Sequence, residues 1–233
     1  MPNKYDMIIP EISEIQQVRA AAKVTTLEIL DEGDTPATVL GVVQNAHTWC
    51  STLIEAMPHA WKRDCQLGCF WCCWIPVTSS PVEALAIASH LEETWGPDAL
   101  DALKAQLTER VKRRRGWTLD QRVEERRWCI FLRDGQCAIY EQRPLGCRGY
   151  CTFSQEDCQR AYEGQVEEIS TGDGQALAVA NGIKWGLRDA VRKRQLEDNS
   201  LELESAVLRA LTTPQALERW RRGKRVFRGC DAL

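Results

Sequence analysis

Cysteine is the residue type with the greatest chemical potential in this chain, and most of the cysteines fall in two segments. The chain has 233 residues and eleven cysteines. The two segments contain, in order, Cys65, Cys69, Cys72 and Cys73, and then Cys129, Cys137, Cys147, Cys151 and Cys158. Thiolates are soft, negatively charged donors for zinc and iron, and separations of about two to four residues let one loop direct several sulfurs at one point. The pattern therefore predicts a metal centre.

Disulfides are the competing explanation for so many cysteines, and they form in oxidising compartments. The start of the chain, MPNKYDMIIPEISEIQQ, has proline and glutamate where a secretory signal needs an apolar stretch. No apolar run approaches the roughly 18 residues that indicate a membrane span. The net charge of −3 gives no overall attraction to membranes or nucleic acid. We therefore expect a cytoplasmic protein without a membrane segment, whose clustered thiols are reduced ligands.

The adjacent pair Cys72 and Cys73 limits how the thiols can be shared. Because neighbouring side chains diverge, either one of the two is a bystander or they serve different sites. Eight thiols would satisfy two four-ligand sites, or one site and a redox pair. The histidines His47, His59 and His90 lie outside both segments and are expected to be ordinary solvated or core residues. Every candidate ligand is therefore a cysteine.

Helices must position most of these thiols. Thr35-Pro36 predicts a helix start, and the apolar stripe that follows places Cys50 in the core as a structural thiol. Residues 80–83, Ser-Pro-Val-Glu, form a capping box that predicts a helix to about residue 93. A further amphipathic helix is predicted from about residue 98 to Gly116.

A β-hairpin and two closing helices complete the expected architecture. Residues 129–132 and 137–140 have the pattern of two short strands around a turn that contains Asp134-Gly135, so Cys129 and Cys137 should approach each other. Helices are predicted over 175–195 and 201–221. We expect a mainly α fold with a central cysteine-rich irregular region and one short β-hairpin. Its expected parts are an N-terminal helical segment (1–60), a cysteine-cluster metal-binding domain (61–160) and C-terminal helices packing on the same core (161–233).

The order of these motifs resembles the YkgJ-type CxxxCxxCC cysteine-cluster family, whose members are labelled zinc- or iron-chelating domains. The resemblance covers roughly residues 60–160. It is carried by Cys65-x3-Cys69-x2-Cys72-Cys73, Ser80-Pro81-Val82-Glu83-Ala84, Cys129-x-Phe-Leu, Cys137-x-Ile-Tyr-Glu and Arg143-Pro144-Leu145-x-Cys147-Arg148-Gly149. Two positions depart from the family pattern: Ile130 replaces a proline, and Cys151 replaces a common asparagine. The resemblance implies a compact helical domain.

The resemblance also implies about eight cysteine ligands. They are Cys65, Cys69, Cys72, Cys73, Cys129, Cys137, Cys147 and Cys158. Cys151 is an additional candidate, close enough in sequence to Cys147 to substitute for Cys158. An all-cysteine ligand set favours one or two iron–sulfur clusters, such as 4Fe–4S clusters, and zinc held by four cysteines is the alternative. The sequence identifies no catalytic residue.

Three functions are compatible with such a centre. The favoured one is an iron–sulfur protein with a redox or modification role, acting on an unidentified redox partner or substrate. The alternative is a zinc-stapled binding module for a nucleic acid or a protein partner. The basic stretch 219–228, with Trp220 and Phe227, could contact nucleic acid, although a solvated helix end explains it better. A radical S-adenosylmethionine enzyme would fit Cys65-x3-Cys69-x2-Cys72, but it needs a β/α barrel, and strand patterns are nearly absent before residue 129.

Overall fold

The protein is mainly α-helical, as the sequence predicts. The computed structural model describes residues 12–33 and 35–230. Within these ranges the α-helices are α1 (Ile12–Asp31), α2 (Pro36–Glu55), α3 (Pro81–Thr94), α4 (Pro97–Arg113), α5 (Leu119–Glu124), α6 (Leu145–Gly149), α7 (Gln155–Tyr162), α8 (Gly174–Lys193), α9 (Leu203–Thr212) and α10 (Ala216–Arg221). The strands are β1 (Thr78–Ser79), β2 (Leu132–Arg133), β3 (Gln136–Cys137) and β4 (Leu201–Glu202), and 3₁₀ turns cover Ala60–Lys62 and Tyr140–Gln142. None of the described helices combines the length and apolar character that a membrane crossing requires.

The predicted helix caps form, and one of them also positions a cysteine. Thr35 caps α2, its hydroxyl accepting a hydrogen bond from a backbone N–H at 3.1 Å. Ser80 and Glu83 form the predicted capping box at the start of α3. The buried Glu83 carboxylate also accepts a hydrogen bond from the backbone N–H of Leu145, the first residue of α6, at 2.8 Å. Since α6 carries Cys147, the cap of α3 helps to fix the place of this thiol.

The predicted hairpin is present but shorter than expected. The strands β2 and β3 pair over two residues each. Asp134 and Gly135 have φ angles of 49° and 74°, as a two-residue hairpin turn requires. Pairing does not extend back to Cys129, because the Cys129 N–H donates to the Cys73 carbonyl at 2.6 Å instead. The residues before β2 are therefore bound to the first cysteine segment and not to the opposite strand.

A second strand pair attaches the C-terminal helices to the cysteine-rich region. The strands β1 and β4 pair antiparallel, with Thr78 opposite Glu202. Beside them, the Leu203 N–H donates to the Val77 carbonyl at 3.1 Å. Strands of two residues are too short to give a detectable alternation, so the sequence does not reveal them. Because β4 occupies the start of the predicted helix 201–221, that prediction is wrong there.

The same predicted helix is also interrupted further along. The helix α9 ends at Thr212 and α10 begins at Ala216. Pro214 disfavours helical angles at the residue before it, and Thr213 is extended, with φ −91° and ψ 114°. Gln215 adopts a left-handed conformation with φ 54°. Residues 201–221 therefore form a short strand and two helices in place of one helix.

The helices α1 and α8 approach closely at a glycine. A Cβ on Gly186 would lie 2.3 Å from the Arg19 carbonyl oxygen and 2.6 Å from the Cβ of Ala22. We expect Gly186→Ala to lower the free energy of unfolding by about 1–3 kcal/mol, the usual cost of overpacking. Gly41→Ala in α2 is the control: a Cβ there meets nothing within 4 Å, so it should stabilise by about 0.5–1 kcal/mol. Urea unfolding measures both, and stabilisation by both would contradict the close contact.

Candidate metal centre

Tight turns fold the first cysteine segment onto itself. The N–H groups of Cys69 and Cys73 each donate to a carbonyl three residues earlier, at 3.0 and 2.8 Å. Gly68 has a φ of 93°, a conformation that glycine adopts without a steric penalty. The chain therefore reverses repeatedly between residues 65 and 73, which brings thiols three or four residues apart into one region.

Backbone hydrogen bonds attach the second cysteine segment to the first at two points. One is the bond from the Cys129 N–H to the Cys73 carbonyl. At the other, the Thr152 N–H donates to Cys65 Sγ at 3.2 Å, and the Asp64 N–H donates to the Thr152 carbonyl at 3.1 Å. A hydrogen bond to sulfur stabilises the thiolate form. The Thr152 N–H is therefore placed to favour negative charge on Cys65.

Six of the predicted ligands surround one cavity of about 180 Å³. They are Cys69, Cys72, Cys73, Cys129, Cys137 and Cys147. Apolar side chains, among them Ile75, Phe131 and Ile139, form much of the remaining wall. The other predicted ligands, Cys65, Cys158 and Cys151, lie outside this lining. The fold thus gathers thiols from both segments around one cavity.

We divide the eight thiols that the sequence pattern predicts as ligands into two groups of four. We call Cys65, Cys69, Cys72 and Cys158 the first thiol set, and Cys73, Cys129, Cys137 and Cys147 the second thiol set. In the first set, burial and the neighbouring thiols of Cys72 and Cys69 raise the pKa of Cys158 to about 12. Burial likewise raises the pKa of Cys65 to about 12, with Cys151, Cys72 and Cys69 contributing. Cys65 and Cys158 therefore both lie near Cys69 and Cys72, and Cys65 also lies near Cys151.

In the second thiol set, burial and neighbouring thiols likewise raise the pKa values. Burial raises the pKa of Cys147 well above its ordinary value, and the Cys129 and Cys137 thiols add to the rise. Burial, Glu204 and Cys137 raise the pKa of Cys129 to about 12. The pKa of Cys73 is raised by its hydrogen bond with Cys72 and by burial, with Cys129 and Cys137 contributing.

The two thiol sets meet at the adjacent pair Cys72 and Cys73. A hydrogen bond between these side chains lowers the pKa of Cys72 to about 7. The Cys72 thiol also acts electrostatically on Cys137 and Cys147 of the second set. Cys72 is therefore the member of the first set that lies nearest to the second.

The donor chemistry of this region fits a metal centre. Burial disfavours the thiolate form at most of these cysteines, and a bound cation would stabilise it and displace the protons. The cysteines of both thiol sets are free thiols in the structure. Among the described residues, no group of three or more His, Cys, Asp or Glu side chains is arranged so that it could hold a metal ion. The fit therefore rests on the number and chemistry of the thiols around one cavity.

The remaining cysteines have other surroundings. Cys50 is fully buried in α2, as predicted for a structural thiol. Cys230 is buried, and its thiol donates to the Ser205 carbonyl at 3.5 Å. The Cys151 thiol donates to the Arg148 carbonyl at 3.6 Å. These three thiols belong to neither thiol set.

An aromatic cluster lies beside the thiols. The rings of Trp128 and Tyr162 stack with centroids 4.0 Å apart, and those of Phe70 and Trp71 stack at 5.1 Å. Trp71 and Trp128 join the two pairs at 6.1 Å. Trp61, which also flanks the first segment in sequence, is 79% exposed and takes no part. Because the rings come from distant parts of the chain, the sequence does not reveal the cluster, which can exclude water from the neighbouring thiols.

The cysteine-rich region is similar to a known family. Residues 64–165 match the family CxxCxxCC, which is described as "Putative zinc- or iron-chelating domain". We call residues 64–165 the CxxCxxCC domain after this match. The domain contains both thiol sets, Cys151 and the aromatic cluster, and its family description supports a metal cofactor, zinc or iron. No curated protein and no solved structure gives a significant match to the chain.

Proposed function

We propose that the CxxCxxCC domain holds two iron–sulfur clusters, one on each thiol set, and takes part in one-electron transfer. The observation that supports a cluster most directly is the cavity of about 180 Å³, which is lined by all four thiols of the second set and by Cys69 and Cys72 of the first. A structural zinc ion is held by four sulfurs at about 2.3 Å, which leaves no void between them. A single water needs only about 10–15 Å³ of such volume. A cluster of several iron and sulfide atoms therefore suits this cavity better than a single ion does.

The number of clusters follows from the adjacency of Cys72 and Cys73. An iron–sulfur cluster is commonly held by four thiolates, and each thiol set supplies four. Because neighbouring side chains diverge, we assign Cys72 to the first cluster and Cys73 to the second. The two clusters would then lie side by side, with this pair between them.

Cys158 is a better final ligand than Cys151. The Cys158 side chain is buried beside Cys69 and Cys72, two members of the first thiol set. The Cys151 thiol is instead occupied as a hydrogen-bond donor to the Arg148 carbonyl. We therefore propose that Cys151 stays outside the metal centre.

The protein supplies the surroundings in which such clusters work. An iron–sulfur cluster provides one-electron transfer, and its potential depends on hydrogen bonds to the sulfurs and on solvent exposure. The Thr152 N–H donates to Cys65 Sγ, and the aromatic cluster limits the access of water. Leu67 borders the cavity and is 76% exposed. This edge is where we expect a redox partner or substrate to approach.

The alternative functions have less support. Stacking of nucleic-acid bases would need Trp220 and Phe227, but both rings are fully buried, and Trp220 Nε1 donates to the Glu197 carbonyl at 3.0 Å. The basic residues of 219–228 then serve as a solvated helix end. A radical S-adenosylmethionine enzyme would need a β/α barrel, whereas the described residues form helices with two small strand pairs.

Anaerobic isolation from iron-replete cells, followed by iron, sulfide and zinc analysis, tests the proposal. We expect brown protein with broad absorption near about 400 nm, and about eight iron and eight sulfide per chain if both clusters are of the 4Fe–4S type. Colourless protein with stoichiometric zinc would refute the proposal and favour the zinc-stapled binding module.

A further inference from the structure

Four arginines line the cysteine cavity, and one of them lacks a carboxylate partner among the described residues. They are Arg114, Arg122, Arg127 and Arg143. The first three pair with Glu125, Glu202 and Glu204 at distances between 2.6 and 3.8 Å. Within the part of the chain that the structure describes, Arg143 forms no ion pair. Its charge is therefore available to another anion.

The surroundings of Arg143 hold its side chain in place without neutralising it. The carbon of its guanidinium lies 4.0 Å from the centroid of the Tyr140 ring, over which it stacks. Its Nε is buried and has no hydrogen-bond partner. A half-buried cation without a counter-charge is unfavourable, because desolvation is not repaid by attraction. The stacked guanidinium thus has both the position and the unused donors to receive an anion.

The thiols are the anions that the protein itself offers. Arg143 lines the same cavity as Cys137 and Cys147 of the second thiol set and Cys72 of the first. Its guanidinium therefore lies close to thiols of both sets, near the place where the sets meet.

We propose that Arg143 is a positioning residue of the metal centre, whose guanidinium offsets the negative charge of the loaded thiolates around Cys72, Cys137 and Cys147. This inference rests on the proposed function, because it requires metal-bound thiolates in the cavity. Four thiolates around one zinc keep a formal charge of about −2, and a cluster held by four thiolates also remains negative. In a cavity of low dielectric, a nearby cation stabilises such a centre strongly and is only weakly screened by salt.

The test compares Arg143→Gln, which removes the charge, with Arg143→Lys, which keeps it. Arg133→Gln is the matched control: Arg133 also stacks on a ring, 4.1 Å from the centroid of Trp95, but it is exposed and does not line the cavity. Reduced, metal-free protein is titrated with zinc against a chromophoric chelator, at low and at high salt. We expect Arg143→Gln to weaken zinc binding roughly 10- to 100-fold at both salt concentrations, and the other two variants to bind as the unaltered protein does.

A second readout uses the anaerobically isolated protein. If it carries iron–sulfur clusters, Arg143→Gln should shift the midpoint reduction potential to a more negative value, because an electron added to a negative cluster is then less stabilised. Equal zinc affinities of Arg143→Gln and the unaltered protein would overturn the inference. So would a loss in Arg143→Lys as large as that in Arg143→Gln.

Two controls keep the outcomes separate. If circular dichroism shows that Arg143→Gln is unfolded, the zinc affinity of Arg143→Lys becomes the test. The inference requires Arg143→Lys to bind zinc with nearly the affinity of the unaltered protein. If the unaltered protein binds neither zinc nor iron, the proposed function fails and not only the role of Arg143.

Discussion

Serine at Cys69 and serine at Cys137 should each remove about half of the bound iron, and the double substitution should remove nearly all of it. Cys69 belongs to the first thiol set and Cys137 to the second, and in the proposed arrangement each iron–sulfur cluster needs the four thiolates of its own set. A serine hydroxyl is a harder and weaker ligand for iron than a thiolate. Iron and sulfide analysis of anaerobically isolated variants measures the loss.

In the Cys69→Ser and Cys137→Ser variants, the thermal unfolding midpoint should fall together with the iron content. The two cysteine segments are separated by α3, α4 and α5, so a centre that joins them adds its binding energy to folding. Cys151→Ser is the control, because it removes a neighbouring thiol that belongs to neither set, and it should change neither iron nor midpoint. Complete loss of iron in one single variant would indicate one shared cluster, and unchanged stability without iron would mean that the centre is not structural.

Alanine at Glu204 should destabilise the protein by about 3–5 kcal/mol. The buried Glu204 carboxylate pairs with Arg110 at 3.1 Å and with Arg114 at 2.9 Å, and both guanidinium groups are buried too. Its removal would leave two buried cations without this counter-charge. The network also supports the metal centre, because Arg110 donates to the Trp128 carbonyl at 2.5 Å, next to Cys129.

Asp198 provides a matched control for Glu204. It also bridges two arginines, Arg188 at 3.3 Å and Arg192 at 2.8 Å, but their side chains are 41% and 61% exposed. Because water and salt screen exposed pairs, Asp198→Ala should cost less than about 1 kcal/mol. Urea unfolding of both variants measures the difference. Equal costs would mean that burial of the Glu204 network adds nothing to its strength.

Much of the helical fold is predictable because helix starts depend on local contacts. The caps at Thr35 and at Ser80 each join residues three positions apart, so the sequence contains both partners. The predicted helix over 201–221 is wrong because its apolar periodicity continues across Pro214, whose effect on the preceding residue breaks the helix. The strand β4 is not predicted from the sequence, because it forms by pairing with β1, which lies far away in the chain.

The sequence by itself determined the kind of centre. Metal coordination by thiolates requires cysteines at short separations along the chain, and residues 65–73 contain four cysteines at such separations. The adjacency of Cys72 and Cys73 likewise indicates that two sites are possible, because neighbouring side chains diverge. The similarity to the CxxCxxCC family followed from the order of the motifs along the chain.

Only the tertiary structure decided which thiols are neighbours and what surrounds them. The hydrogen bond from the Cys129 N–H to the Cys73 carbonyl joins the two cysteine segments. The fold also brings Cys158 beside Cys69. Among the described residues, Arg143 has no ion pair with a carboxylate. Each of these depends on contacts between residues far apart in sequence. The spacing of the cysteines shows how many thiol donors are available. The distances between these thiols depend on the packing of the helices and on hydrogen bonds between distant loops. Metal binding depends on those distances, so it is decided by the tertiary structure.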